Sequence, residues 1–327
     1  MSTLSALNLD VARYTRHRVH GESAVWVEKN CYVDVWIEVA DAAGLDPMAM
    51  LPFTLASDFD GDQWTFFKPS HEDLTALYGF GVQELNLWRP LLQHVLFHLA
   101  ERRLIFTEAD AYYLPDTSGT DYRTNHVKTT IVIETIDLER RRLGYFHNAG
   151  YFQLEGDDFI KLLRVDAPPD PTFMPLFAEL VKLDRIRRLE PAELTTRSLQ
   201  VLALWLPRRP RTNPFRRFAA RFGSDIDGLK KEGIAAYHAY AFATMRQCGA
   251  NFELTAEYLR WLERQRPSGY DRAAPLFDAI SNGSKTLILK AARAVGGNQN
   301  VDFVPLIEEM ATAWDTAMRT LETRSPR

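Results

Sequence analysis

The spacing of apolar side chains over Cys31–Ala43 predicts a helix. Val35 and Val39 stand four positions apart within a run of further apolar residues, so they share one helical face. Gly44 follows directly and suits the C′ position, where glycine commonly ends a helix. Asn30 precedes the run and is a favoured N-cap residue type. The pattern therefore places a thiol in the first turn of this helix.

Other patterns in the first half predict shorter elements. Strands are expected at Ala24–Val27, Trp64–Phe67, Leu104–Ala109, His126–Ile136, Arg142–Phe146 and Tyr151–Leu154, and helices at 46–55, His71–Tyr78 and Leu91–Arg102. A charged turn and the turn Asn148-Ala149-Gly150 join the last three strands into an antiparallel meander. Helices followed by a meander are typical of an α+β domain.

The second half of the chain has an almost entirely helical pattern. Helices are expected at Leu176–Leu189, Glu193–Trp205, Ile226–Cys248, Phe252–Arg264, Tyr270–Ala294 and Phe303–Leu321. Pro168-Pro169-Asp170-Pro171 interrupts the pattern just before them. We therefore predict an α+β catalytic domain over residues 1–170 and a helical domain over residues 171–327, with the boundary between 168 and 210.

Composition restricts the compartment and the class of partner. The chain has 327 residues, of which 46% are hydrophobic and 25% charged, and its net charge of −4 gives no general attraction to nucleic acid or an anionic membrane. Met1–Arg13 lacks the basic start and apolar core of a signal peptide, and no apolar run reaches the roughly 20 residues that cross a bilayer. Two cysteines in the whole chain suit a reducing environment. We expect a cytoplasmic bacterial-type protein whose oligomeric state stays open.

Several common catalytic and ligand-binding motifs are missing from the sequence. It contains no Walker loop, GxGxxG, GxSxG, HExxH or CxxC motif, which argues against a nucleotide-binding, dinucleotide-binding, serine-hydrolase or structural-zinc protein. Asp58, Asp60 and Asp62 resemble a calcium loop, but no glutamate closes it at the required position. We therefore predict neither a metal nor a bound cofactor.

Cys31 is the candidate nucleophile. A thiol in the first helical turn lies at the positive end of the helix dipole, which favours negatively charged groups. His126 is the candidate base, because it opens a predicted strand downstream that would hold the imidazole rigidly. His147, at the end of the next strand, is the alternative catalytic histidine.

A third group should accept the second ring proton of the imidazole. Asn148 is the first choice, since it ends the hairpin strand that would return beside His126. His147 could exchange roles with it, and the sequence leaves both open. Donors for an oxyanion are less evident. The backbone N–H of Cys31 is one candidate by position, and Asn30 or Trp26 are the candidates to replace the glutamine that papain-like enzymes carry.

Polar residues near these groups are candidates for binding substrate. Gln63 and Lys68 flank one predicted strand. A hydroxyl-rich loop before His126 supplies the remaining candidates, Tyr113, Asp116, Thr117 and Tyr122. The basic segment Arg208–Arg221 is either a solvated linker or a docking surface for an acidic partner such as an acyl carrier protein.

Three stretches resemble an uncharacterised bacterial family, domain of unknown function 1839. They are Asn30–Glu38 (NCYVDVWIE), Asp60–Lys68 (DGDQWTFFK) and Gly144–Tyr151 (GYFHNAGY). The order of the candidate residues is also similar, more distantly, to the N-terminal domain of the butirosin-biosynthesis acyltransferase and to papain-like cysteine peptidases. In those proteins a cysteine begins a helix, a histidine lies on a strand, and a polar partner ends the following strand.

The distant resemblance implies a papain-like domain followed by a helical region. It implies that Cys31 is the nucleophile, His126 the base and Asn148 the orienting group of an acyl- or aminoacyltransferase. Such an enzyme would take its acyl group from a carrier-protein thioester on a phosphopantetheine arm and pass it to an amine or another small acceptor. The alternatives are a thioesterase, amidase or peptidase of the same fold, and a non-catalytic binding protein that lacks the oxyanion glutamine of papain-like enzymes.

Overall fold

The computed structural model describes residues 3–165, 167–168, 170 and 172–323. The chain forms two compact units, each built from discontinuous segments. The first unit contains the chain up to Gly21, Cys31–Pro47 and His71–Arg188, and the second contains Glu22–Asn30, Met48–Ser70 and the chain from Leu189 onward. The last division between the units lies between Arg188 and Leu189.

The secondary structure confirms the α+β class and the helical C-terminal region. The strands are β1 (Leu4–Ser5), β2 (Phe59–Asp60), β3 (Gln63–Trp64), β4 (Gly81–Glu84), β5 (Leu104–Asp110), β6 (Lys128–Asp137), β7 (Arg142–His147), β8 (Gly150–Glu155) and β9 (Ala178–Lys182). The helices are α1 (Cys31–Ala42), α2 (His71–Tyr78), α3 (Leu91–Ala100), α4 (Asp157–Leu162), α5 (Pro191–Trp205), α6 (Pro214–Glu232), α7 (Ile234–Ala241), α8 (Gln247–Gln265), α9 (Ala274–Gly296) and α10 (Val304–Glu322).

An antiparallel sheet organises the first unit. Its strand order is β4-β9-β5-β6-β7-β8, with β1 paired to β6. The predicted meander is present as β6, β7 and β8, and α1 packs against these three strands. Trp36 of α1 is fully buried and stacks on Phe106 of β5, with the ring centroids 4.4 Å apart. Large aromatic contacts of this kind bury much apolar surface and fix the helix on the sheet.

Two carboxylates of α1 are buried beneath the N-terminal segment. Asp34 and Glu38 are four residues apart on one helical face, and both side chains are inaccessible to solvent. The imidazole of His20 lies between them, with Nε2 at 3.0 Å from Asp34 Oδ1 and Nδ1 hydrogen-bonded to Glu38. Tyr14 also donates a hydrogen bond to Glu38. The His20 ring thus supplies the partner that two buried carboxylates need.

Tertiary pairing overrides two of the predicted elements. The predicted helix Leu176–Leu189 is wrong, because residues 178–182 form β9, which pairs with both β4 and β5. The predicted strand Ala24–Val27 is irregular. There, the backbone N–H groups of Val25 and Trp26 donate to the carboxylate of Glu253 at 2.6 and 3.2 Å instead of to a neighbouring strand.

Helices α5–α10 make up most of the second unit, together with the β2–β3 hairpin. The predicted helix Ile226–Cys248 is interrupted at Gly233, whose φ of 97° lies in the region that favours glycine. None of the helices in the described part of the chain is both long enough and apolar enough to span a bilayer.

Candidate functional site

The thiol of Cys31 lies at the first residue of α1. Its side chain is partly exposed, whereas Cys248 is buried in α8. Cys31 Sγ is 3.7 Å from Oγ1 of Thr130, on the underlying strand β6. The packing of α1 on β6 thus brings the start of the helix to the beginning of this strand.

The two cysteines should therefore differ in reactivity towards iodoacetamide near neutral pH. Cys31 is accessible, whereas burial raises the pKa of the Cys248 thiol well above its ordinary range. We expect peptide mass spectrometry to show alkylation of Cys31 at least tenfold faster than that of Cys248. A Cys31→Ala variant should then show almost no early labelling, and equal rates at the two thiols would contradict the prediction.

His126 forms an imidazole–carboxylate pair with Asp110. Nδ1 of the ring is 2.6 Å from Asp110 Oδ2, and the ring stacks on Tyr112 with the centroids 4.3 Å apart and the planes at 10°. The His126 side chain remains 66% exposed. It lies just before β6, which begins at Lys128 rather than at His126 as predicted. The carboxylate and the ring stack orient this imidazole, and no hydrogen bond to another described residue occupies its Nε2.

Strand register places Asp110 close to the residue that Cys31 contacts. Thr130 pairs with Glu108 across β6 and β5, and Asp110 is two residues further along β5, on the same face. Diagonal neighbours of this type are about 7–8 Å apart. Among the described residues no hydrogen bond joins Cys31 and His126, since each has its own partner. The thiol and the His126–Asp110 pair therefore lie at the same corner of the sheet, each with its own hydrogen-bond partner.

His147 lies on the other face of the sheet. It pairs with Ile131, and its Nε2 is 2.8 Å from Oγ1 of Thr129. Thr129 and Thr130 are successive strand residues, so their side chains point to opposite faces. Nδ1 of the buried His147 ring is 2.5 Å from Asp116, which also accepts a hydrogen bond from Tyr145. The alternative catalytic histidine is therefore not brought to Cys31.

Asn148 does not orient His126 in this structure. It lies in the turn between β7 and β8 with a φ of 44°, and within the described residues its side chain makes no hydrogen bond. The Nδ1 of His126 has Asp110 as its partner instead. The carboxylate that contacts His126 thus lies on the strand before it, whereas the sequence analysis expected an orienting group on the strand after it.

The two oxyanion candidates use their side-chain donors elsewhere. The Asn30 amide donates to the backbone carbonyl of Phe67 at 2.9 Å, and the indole N–H of Trp26 donates to Ser281 Oγ at 3.0 Å. Both residues belong to the second unit. The backbone N–H of Cys31, at the first residue of α1, remains a candidate by its position.

Most of the predicted substrate-binding side chains in the hydroxyl-rich loop before His126 form hydrogen bonds within their own unit. Thr117 donates to the carbonyls of Ala111 and Leu114, and Tyr122 donates to Asp158 at 2.9 Å. Asp116 is bound by His147 and Tyr145, as described above. Tyr113 is the exception, because it packs edge-on against the rings of Tyr112 and His126. Gln63 and Lys68 are exposed and belong to the second unit.

The basic segment pairs largely with acidic residues of its own unit. Arg209 binds Glu322, Arg216 binds Glu308 and Asp315, Arg217 binds Asp58, and Arg221 binds Asp225. Arg208 stacks over the Trp205 ring at 4.8 Å, and Arg211 is exposed. Internal pairing therefore reduces the positive charge available to an acidic partner.

The sequence analysis did not identify Asp110, Thr130 or His71 as site residues. Asp110 ends an apolar strand, and pairing that strand antiparallel to the His126 strand would have brought the two residues together. For His71, Nε2 of the ring is 3.0 Å from Oε1 of Glu179. Glu179 lies on β9, which the apolar pattern had predicted as helix. No local sequence pattern could therefore have predicted that His71 and Glu179 lie together.

Comparisons with known proteins identify a family but no activity. The model of the DUF1839 N-terminal domain matches residues 15–183, and that of the DUF1839 C-terminal domain matches residues 191–323. The gap between the matches contains Arg188, where the two units divide. No curated protein matches the chain.

Proposed function

We propose that this chain, which belongs to the DUF1839 family, is a cysteine-dependent acyl- or aminoacyltransferase that works through an acyl-enzyme on Cys31. One observation carries the proposal. A partly exposed thiol begins a helix, and an exposed imidazole–carboxylate pair lies at the same corner of the same sheet face. A nucleophile, a base and an orienting carboxylate are the groups that covalent acyl transfer requires.

Each residue has a defined role in the first half-reaction. The Cys31 thiol loses its proton to Nε2 of His126, and the sulfur attacks the carbonyl carbon of the donor thioester. A new C–S bond to Cys31 forms, the C–S bond to the donor breaks, and His126 returns the proton to the departing thiolate. Asp110 holds Nδ1 and stabilises the imidazolium in between. Because the Cys31 side chain is partly exposed, a change of its rotamer can bring the thiol towards Nε2 of His126 while Asp110 keeps its hydrogen bond to Nδ1.

A thioester is the acyl donor that suits this site. Exchange of an acyl group between two thiols is nearly isoenergetic, so it asks less of an oxyanion hole than amide cleavage does. The backbone N–H of Cys31 can meet that smaller demand. We propose a papain-like arrangement of helix and sheet, a carrier protein presenting the acyl group on a phosphopantetheine arm, and docking through Arg208 and Arg211. Both cysteines are free thiols, which is consistent with the proposed cytoplasmic location.

Intact mass spectrometry with a small acyl thioester, S-acetyl-N-acetylcysteamine, tests the proposal. Wild-type protein should gain one acetyl group, and peptide mapping should place it on Cys31. Cys31→Ala should gain none, whereas Cys248→Ala should behave as the wild type because Cys248 is buried. The same assay with an acyl-loaded carrier protein then compares Arg211→Ala with wild type.

The outcomes separate the competing functions. An adduct that passes to added amine supports the transferase, and an adduct that decays to free acid at the same rate with or without amine indicates a hydrolase. A wild-type protein that forms no adduct and turns over no thioester would refute the proposal and leave a non-catalytic binding protein.

A further inference from the structure

A further imidazole–carboxylate pair lies beside α1. The His71 ring, at the first residue of α2, has Nε2 at 3.0 Å from Glu179 Oε1 and 3.2 Å from the Tyr32 hydroxyl. Tyr32 donates its own hydroxyl hydrogen to Glu179 Oε2 at 2.7 Å. The Glu179 carboxylate is 2% exposed, whereas the His71 side chain is 35% exposed. A buried carboxylate therefore fixes a ring whose other side reaches solvent.

The hydrogen bonds also define which ring nitrogen of His71 is available. Nε2–H donates to the carboxylate of Glu179, so in the neutral ring the lone pair is on Nδ1. Within the described residues Nδ1 has no hydrogen-bond partner. His126 has the opposite arrangement, with Nδ1 bound to Asp110 and Nε2 open. Both rings thus combine a held nitrogen with one that is open to a substrate.

Both pairs lie on the sheet face that carries α1. Glu179 pairs with Phe106 of β5, and Asp110 is four residues further along the same strand, so the two carboxylates point to one face. Tyr32, which contacts the His71–Glu179 pair, is the residue directly after Cys31. On this face of the sheet, His126 with its partner Asp110 lies on the β6 side of the thiol, and His71 with its partner Glu179 lies on the β9 side.

We propose that His71, held by Glu179, is the base for the acyl acceptor and that the acceptor is a primary amine. This inference rests on the proposed function of Cys31. Water or a thiol can be activated by the base that serves the cysteine, as in simple cysteine hydrolases. An amine nitrogen must lose a proton as it becomes an amide, while His126 is beside the departing sulfur. A separate base at a separate position meets that requirement.

In the second half-reaction, the acyl group passes from Cys31 to the amine, and every bond and proton is accounted for. The neutral amine attacks the thioester carbonyl of acyl-Cys31, a C–N bond forms, and the C–S bond breaks. The proton of the attacking nitrogen passes to Nδ1 of His71, and Cys31 leaves as a thiolate. Transfer of that proton to solvent, and reprotonation of the thiolate, return both groups to their starting state.

His71→Gln provides the direct test, because its amide can still donate to Glu179 but cannot act as a base. Wild type and variant are acetylated with S-acetyl-N-acetylcysteamine and then mixed with butylamine or with hydroxylamine, which attacks thioesters at neutral pH without a catalyst. We expect unchanged acetylation of Cys31, a 10²-fold or greater loss of transfer to butylamine, and less than a threefold change with hydroxylamine. His238→Gln, an exposed histidine of the second unit, is the matched control.

A chemical rescue excludes a purely structural role. His71→Gly removes the ring, and added imidazole should restore transfer to butylamine in that variant. Equal butylamine rates in wild type and His71→Gln would overturn the inference, and so would a loss of acetylation in His71→Gln. Failure of the wild type itself to become acetylated would instead refute the role of Cys31. The two proposals therefore fail in different ways.

Discussion

Acylation of Cys31 should slow by about 10²-fold or more when Asp110 is replaced by Asn, and by roughly 10²–10⁴-fold when His126 is replaced by Ala. The His126→Ala change removes the proton acceptor. In Asp110→Asn the side chain keeps its shape but loses its charge, so it no longer stabilises the imidazolium and can hold the ring in the wrong tautomer. We expect this loss of rate at Asp110 because its Oδ2 lies 2.6 Å from Nδ1 of His126, within hydrogen-bonding distance.

Single-turnover acylation by S-acetyl-N-acetylcysteamine, followed by intact mass, measures this rate directly. Asn148→Ala is the matched control, because the sequence placed the orienting group there and the structure leaves that side chain without a hydrogen bond in the described part of the chain. It should acylate within about threefold of wild type. If Asp110→Asn were acylated at the wild-type rate and Asn148→Ala were acylated slowly, the role of orienting His126 would belong to Asn148 instead of Asp110.

Replacing His20 with Leu should destabilise the protein by roughly 3–5 kcal/mol. His20 is fully buried between Asp34 and Glu38, which are fully buried as well. Without the ring, two carboxylates on consecutive turns of α1 lose their shared partner and repel one another. The same helix carries Cys31, so the activity should fall together with the stability.

The His20 cluster also predicts how stability depends on pH. Burial alone would lower the pKa of His20, but the charges of Asp34 and Glu38 and their hydrogen bonds outweigh it and raise the pKa from 6.5 to about 9. Because the folded-state pKa exceeds the unfolded one, the contribution is complete below about pH 6.5 and is lost as the pH rises through 9. The loss over that interval is about 3 kcal/mol.

Urea unfolding at a series of pH values between 6 and 10 measures both effects. Wild type should lose stability across this range, whereas His20→Leu should be less stable at pH 6 and show a much flatter profile. His238→Leu, an exposed position, should stay within about 0.5 kcal/mol of wild type. Parallel pH profiles for wild type and His20→Leu would show that the ring is not charged in the folded state.

The sequence predicted those parts of the fold that rest on local periodicity. The helix that begins at Cys31 and the helix His71–Tyr78 were both predicted at their observed starting points, because apolar spacing and cap residues act over a few positions. The meander β6–β8 was visible for the same reason, in alternating residues and turn signals. The family match was also predicted, from motifs that are contiguous in the chain.

Predictions that needed a pairing partner were less successful. Residues 178–182 have a pattern compatible with a helix, and only the neighbouring strands β4 and β5 make them a strand. Val25 and Trp26 have residue types typical of a strand, but their backbone donors are taken by Glu253 on a distant helix. Propensity is a weak prior compared with such tertiary contacts.

The candidate site shows the same division between local and tertiary information. The sequence alone determined that Cys31 begins a helix, because that depends on its immediate neighbours. Only the tertiary structure determined which imidazoles lie on the same sheet face as the thiol and which carboxylates bind them. Register puts Asp110 beside His126 and places His147 on the opposite face, and the arrival of β9 brings Glu179 to His71. A shift of one residue reverses the face of every side chain in a strand, so no pattern along the chain can specify these pairs without the pairing of the strands.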